Sequence, residues 1–219
     1  MARLLFEKLG NAAWISHLDL MRLFQRAFKR AGLPLTHTQG YNPRPSVSIA
    51  LPLSVGIQSQ CELLDFDLEG DPIANAIIKD KLNAVLADGI RVLDVYNDGR
   101  KLRDLSLLRS VITLEYDAGI PQNAESIINE LFLRESLVVM KRSKNGIQEQ
   151  NIITMIRNFA INRIGECELQ IHVLACCQNP TLNPAQIVAA IHAYASEAAP
   201  SFAWIRRDEI YDAQETVFR

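Results

Sequence analysis

The sequence predicts an α+β protein of two tandem ferredoxin-like (βαββαβ) units, each an antiparallel sheet with helices on one face. Three observations predict it. Short segments alternate apolar and polar residues at the period of a strand, apolar stripes at helical spacing lie between them, and this order runs twice around a polar stretch at 98–106.

The first unit, residues 1–104, opens with a strand at 3–9 (RLLFEKL). A helix follows over about 17–31, where Leu20, Met21, Phe24, Ala27, Phe28 and Ala31 repeat at helical spacing and Gly32 ends the run. SVSIAL (46–51) sends Val47, Ile49 and Leu51 to one side. ELLDFDL (62–68) does the same with Leu64, Phe66 and Leu68, so the two read as a hairpin. Pro72 marks a helix start, the stripe Ile73, Ile77, Leu82, Val85, Leu86 carries it to Gly89, and RVLDVYN (91–97) is the fourth strand. In the second unit, residues 105–219, SVITLEY (110–116), LVVMKR (137–142), a segment within 150–163, CELQIHVLA (167–175) and AWIRRDEIY (203–211) read as strands. AESIINELFL (124–133) and a run opened by Asn183-Pro184 read as helices, and Asn145-Gly146 signals a tight turn.

The chain has 219 residues, 48% hydrophobic and 22% charged, the balance of a globular protein, which removes disordered, collagen-like and coiled-coil readings. No apolar run has the length of a spanning helix, and Glu7 and Lys8 interrupt the opening apolar stretch, so a cytoplasmic protein with no membrane partner is expected. Cys61, Cys167, Cys176 and Cys177 match neither a zinc spacing nor a disulfide framework, and they read as buried or incidental thiols. No cluster-binding cysteine triplet, dinucleotide fingerprint, Walker sequence, H-E-x-x-H or G-x-S-x-G occurs. No cofactor and no metal centre are expected.

The net charge of −2 hides an uneven distribution. Residues 1–50 hold seven bases (Arg3, Lys8, Arg22, Arg26, Lys29, Arg30, Arg44) against Glu7 and Asp19, a local +5, while 51–104 and 105–219 are both acidic. On the first helix Arg22, Arg26, Lys29 and Arg30 fall on the side opposite Phe24 and Phe28. Such a stripe is a solvated face or a seat for phosphates. A second cationic and aromatic element, HTQGYNPRPS (37–46), follows closely. Its two prolines hold Pro43-Arg44-Pro45 extended, Gly40 permits a turn, and Tyr41 and Arg44 offer a stacking face and a bidentate phosphate donor.

Ser16-His17-Leu18-Asp19 reads first as a helix cap, Ser-x-x-Asp ahead of an apolar run. His17, placed on the core-facing side of the first turn, is a packed histidine or a general base. His172 sits on the polar alternate of a strand, His192 on a helix without an acidic partner at i+3 or i+4, and His37 in the loop. Arg206-Arg207 beside Trp204 is a smaller basic and aromatic spot that reads as an edge strand.

Three stretches, WISHLDLMRLFQRAFKRAGLPL (14–35), QGYNPRP (39–45) and ALPLSVG (50–56), resemble the radical-SAM-linked domain of unknown function, a family whose members follow or neighbour a B12-binding radical SAM protein. The resemblance implies an accessory role beside a separate radical SAM partner. The association of such genes with ribonuclease and ribosomal-protein genes implies RNA as substrate. No catalytic residues come with the family.

The expectation is therefore an RNA-binding accessory protein, without activity alone, that works with a radical SAM enzyme in tRNA or rRNA modification or maturation. Its nucleic-acid-binding residues are Arg22, Arg26, Lys29, Arg30, His37, Tyr41, Asn42 and Arg44. One alternative is a metal-independent endoribonuclease with His17 as general base, assisted by Arg22 or Arg44. Another is a protein-interaction module in which RNA plays no part.

Overall fold

A computed structural model describes residues 1–143 and 146–219. It is a mixed α+β chain with antiparallel strand pairings and four α-helices, and it divides into two compact units, Met1–Leu102 together with Arg219, and Arg103–Phe218.

The first unit runs β1 (Ala2–Lys8), α1 (His17–Arg30), β2 (Val47–Ile49), β3 (Ile57–Phe66), α2 (Asn75–Asn83) and β4 (Ile90–Tyr96). Its strands lie in the order β4-β1-β3-β2, every neighbour antiparallel. Side chains of one parity hold them together. Leu4, Phe6 and Lys8 share one face of β1, and Leu64 and Phe66 of β3 join that face through the register Leu4↔Leu64 and Ala2↔Phe66. The α1 stripe Leu20, Phe24, Ala27, Phe28 packs on it, with Phe6 edge-on to Phe24 at 4.7 Å and Phe28 tilted against Phe66 at 5.0 Å. Ile78 and Leu82 of α2 and Val92 of β4 complete this core. Asn83 fixes α2 to β4 like a strand partner, since its side chain donates to Val92 O at 2.9 Å and accepts from Val92 N at 2.8 Å.

Several boundaries differ from the sequence reading: β2 is confined to Val47–Ile49 and α2 ends at Asn83 rather than near Gly89. β3 begins at Ile57, although Gln58, Ser59 and Gln60 give no apolar alternation: Ser59 pairs with Lys8 of β1 and is fully buried. α2 begins at Asn75 rather than at Pro72, without a side-chain cap.

The second unit comprises β5 (Leu105–Glu115), α3 (Ala124–Phe132), β6 (Val138–Ser143), β7 (Gly146–Asn151), β8 (Ile156–Arg163), β9 (Glu168–Cys176), α4 (Ala185–Tyr194) and β10 (Phe202–Asp212). Within it the strand order is β10-β5-β9-β8, again antiparallel throughout. The expected strand at 137–142 exists, but it pairs with β7 in a separate two-stranded ribbon, and the sheet's place next to β9 belongs to β8. Asn145 of the expected turn lies outside the described residues. β5 also starts five residues early, so Leu105 and Leu107, which abut or fall within the expected linker region, are core residues. Ring stacking of Phe132 on Phe159 at 4.4 Å seats α3 against β8.

Candidate nucleic-acid interface

The site is built on α1. Ser16 caps the helix as its sequence requires, its hydroxyl oxygen accepting from Asp19 N at 3.2 Å and donating to Asp19 Oδ2 at 2.8 Å. Arg22 Nη1 donates to Asp19 Oδ1 at 3.0 Å. The Ser16 hydroxyl first, and Arg22 second, hold the Asp19 carboxyl below its usual range. At the other end Gly32, at φ +64, closes a Schellman turn: Leu33 N donates to Phe28 O at 2.9 Å and Gly32 N to Lys29 O at 3.2 Å. That turn throws Leu33 and Leu35 into the core and starts the loop.

Not all seven early bases reach the surface. Arg3 is buried against Asp65, and Lys8 is completely buried, its Nζ donating to the carbonyls of Ala13 and Ile15 at 2.9 Å each. Both leave the basic surface counted from the sequence. The physical reason is that Lys8 occupies the core face of β1 and neutralises carbonyls of the turn above it, while the β1–β3 register sets Arg3 opposite Asp65. Arg22, Arg26, Lys29 and Arg30 are exposed, as is Arg44.

Arg22, Arg26, Lys29 and Arg30 line one groove of about 770 Å³ together with Asp19 and Leu23. Its only acid is Asp19, already engaged with Arg22. Arg30 Nη2 donates to Val85 O at 2.7 Å and so braces the end of α2. The side chains of Arg26 and Lys29 have no ion-pair or hydrogen-bond partner among the described residues. A second cavity of about 560 Å³ opens on the other flank of Lys29, lined by Gln25, Leu33, Leu35, His37, Pro45 and Glu69 among others.

The loop stands on a bridged stalk. Leu35 bridges Leu68 and His37 bridges Pro45, with Thr36 N to Asp67 O at 2.9 Å, Ser46 N to Thr36 O at 2.8 Å and Thr38 N to Arg44 O at 2.8 Å. Arg44 N also donates to Thr38 Oγ1 at 3.0 Å, which closes the neck. Tyr41 at the tip is fully exposed. The structure thus brings His37 and Pro45 to Lys29, whereas Tyr41, Asn42 and Arg44 line neither concavity. The expected single patch is two concavities meeting at Lys29 beside a projecting loop, because the stalk is anchored to the chain after β3 and not to the helix face.

His17 is half-buried, its Nδ1 is enclosed without a hydrogen-bond partner, and it lines neither concavity. Gln25 and Glu69 are site residues that sequence reasoning missed. Gln25 sits one turn before Lys29 and was within reach of the helical period, while Glu69 enters through the Leu35↔Leu68 bridge and its own N–H bond to Pro34 O at 2.8 Å. In the second unit Arg206 is paired to Asp208, with Nε 2.6 Å from Oδ1, Arg207 is buried, and Trp204 Nε1 donates to Glu115 at 2.7 Å. Among the described residues no three His, Cys, Asp or Glu side chains gather as for a metal ion, and no described helix is long and apolar enough to cross a membrane.

A family model described as an uncharacterized protein conserved in bacteria, DUF2344, matches residues 2–184. The chain belongs to this family. No curated protein matches the sequence of this DUF2344 chain. Among solved structures it is similar to a chain in the crystal structure of a Cbf5-Nop10-Gar1 complex, with TM-score 0.50 and 10% identity over 95% of this chain and 48% of that one. A chain in the crystal structure of the archaeal box H/ACA sRNP Nop10-Cbf5 complex gives 0.49 and 9%, over 94% and 46%. The DUF2344 chain spans about half the length of the solved chains it resembles, and the likeness is one of fold.

Proposed function

We propose that this protein is an RNA-binding accessory protein that acts with a separate radical SAM enzyme in the modification or maturation of tRNA or rRNA. The observation that carries the RNA reading is the state of Arg26 and Lys29. Exposed cations on a protein of net charge −2 ordinarily attract a neighbouring carboxylate, yet these two line a groove whose one lining acid, Asp19, bonds to Arg22 and reaches Arg26 only through its charge. A phosphate backbone supplies the missing anions, and the projecting Tyr41–Arg44 loop adds a ring for a base and a guanidinium for phosphate.

What supports a partner is the motif resemblance at 14–35, 39–45 and 50–56. The first and third stretches meet, with the Trp14 ring 3.4 Å from where a side chain on Gly56 would begin, and Gly56 N donates to the carbonyl of Ala13 just before the first stretch at 2.9 Å. Trp14 and Val55 are exposed beside that contact, an apolar spot available to another protein. We read each unit as a ferredoxin-like domain, the second carrying the β6–β7 ribbon as an insertion. What supports this is the element order and the shared outer-to-inner strand arrangement of both sheets.

Filter binding of total cellular RNA at two salt concentrations tests the reading. Retention that weakens steeply as salt rises supports it, and absence of retention at low salt overturns it.

A further inference from the structure

We propose that the cavity between the C-terminal half of α1 and the loop stalk is a binding site for a guanine nucleotide. The base lies against the leucine and proline walls, its Watson–Crick edge on the Glu69 carboxylate and its phosphate on Lys29. For a nucleotide carried by RNA, this rests on the RNA-binding reading above, and a free nucleotide is the other source of the same chemistry.

The cavity volume of about 560 Å³ suits one small molecule and excludes a duplex. Its lining is mainly apolar, with the exposed Pro34 and the half-buried Pro45 beside the buried Leu33 and Leu35, an apolar face against which an aromatic ring is partly desolvated. The charges are separated: Lys29 on the helix has no partner among the described residues, and Glu69 has only His37, whose Nδ1 stands 3.8 Å from Oε1. Such a site selects a flat molecule that is anionic at one end and donates hydrogen bonds at the other.

Among the bases, the donor requirement decides. Guanine presents N1–H and an N2 amino hydrogen side by side, matching the two oxygens of a carboxylate. Guanine's O6 acceptor lies beyond that pair, whereas adenine, cytosine and uracil each have a single donor position on the edge, flanked directly by an acceptor that a carboxylate repels. Lys29 lines this cavity and also the groove of Arg22, Arg26 and Arg30, so a phosphate on Lys29 has further cations nearby for the flanking backbone.

The test uses the whole chain with three RNA hairpins, one bearing a single bulged guanosine, one a bulged adenosine and one no bulge, and with free GMP followed at the Leu33 and Leu35 amides by NMR. The bulged-guanosine hairpin is expected to bind about tenfold tighter than the other two. Gln25→Trp, which fills the cavity from the helix side, abolishes that preference, and Glu69→Gln levels guanosine with adenosine. Circular dichroism checks both folds. If Gln25→Trp misfolds, the Glu69→Gln arm still decides.

Equal affinity for all three hairpins, with salt-dependent binding retained, overturns the cavity assignment and leaves the RNA reading standing. Saturable GMP shifts at Leu33 and Leu35 without RNA binding support the cavity with a free nucleotide as its ligand and remove the RNA reading. Silence of both probes overturns the assignment.

Discussion

Arg3 and Asp65 face each other directly across the β1–β3 pair, and the guanidinium closes on the carboxylate through two hydrogen bonds, Nε to Oδ1 at 2.5 Å and Nη2 to Oδ2 at 3.0 Å. The remaining Nη1 donates to Arg100 O at 2.8 Å. Burial alone lowers the Arg3 pKa, but the hydrogen bond and charge of Asp65 outweigh it and the net direction is upward. Removing the carboxylate strands a buried cation. Asp65→Ala is therefore expected to cost roughly 3 kcal/mol in urea unfolding, and Arg3→Met with Asp65→Leu markedly less.

Lys8 separates structural from functional positive charge. Its ammonium satisfies the Ala13 and Ile15 carbonyls from within the core. Lys8→Met leaves both acceptors without that donor and is expected to lower stability by about 2 kcal/mol while the salt dependence of RNA binding stays as in the wild type. A changed salt slope would show that the lysine acts at the surface.

The cap of α1 has a pH signature. Because the folded Asp19 pKa is depressed, its contribution is present above the ordinary aspartate value near ~3.9 and is lost as pH falls through the lower folded value. NMR titration of the Asp19 carboxyl is expected to show a midpoint below that of a free aspartate, and Ser16→Ala to raise it, since the Ser16 bond is the leading cause. The same substitution costs about 1 kcal/mol as the loss of a helix cap.

Burial pushes the Cys177 thiol up to about 12, whereas Cys167 is exposed. Iodoacetamide at pH 8 is expected to modify Cys167 in the native protein and to reach Cys177 only on unfolding, as read by peptide mass spectrometry.

Legibility followed the range of the interactions. The α1 stripe, its Ser16 cap and its Gly32 stop were readable because each is decided within one helical turn. The fate of Arg3 and Lys8 was not. The alternation of Leu4, Phe6 and Lys8 already put the lysine on the core face, but only the turn at Gly10–Trp14 supplies the carbonyls that admit it, and only the strand register delivers Asp65 to Arg3. The polar start of β3 and the early start of β5 escaped periodicity, which registers side chains while strands pair through the backbone. The basic stripe was visible. Its junction with a cavity at Lys29 was hidden, since His37 and Pro45 reach it through a bridge within the loop and Glu69 through the Leu35↔Leu68 bridge between segments some thirty residues apart.

The central claim is that Arg26 and Lys29 meet RNA phosphates, and the slope of log affinity against log salt measures this most directly. Arg26→Glu with Lys29→Glu spares Arg30, which braces α2, and Arg22, which completes the cap. The account predicts a slope shallower by about 1 to 2 units, with weaker binding at low salt and an unchanged circular dichroism spectrum. A slope and affinity identical to the wild type in a folded double variant would contradict it.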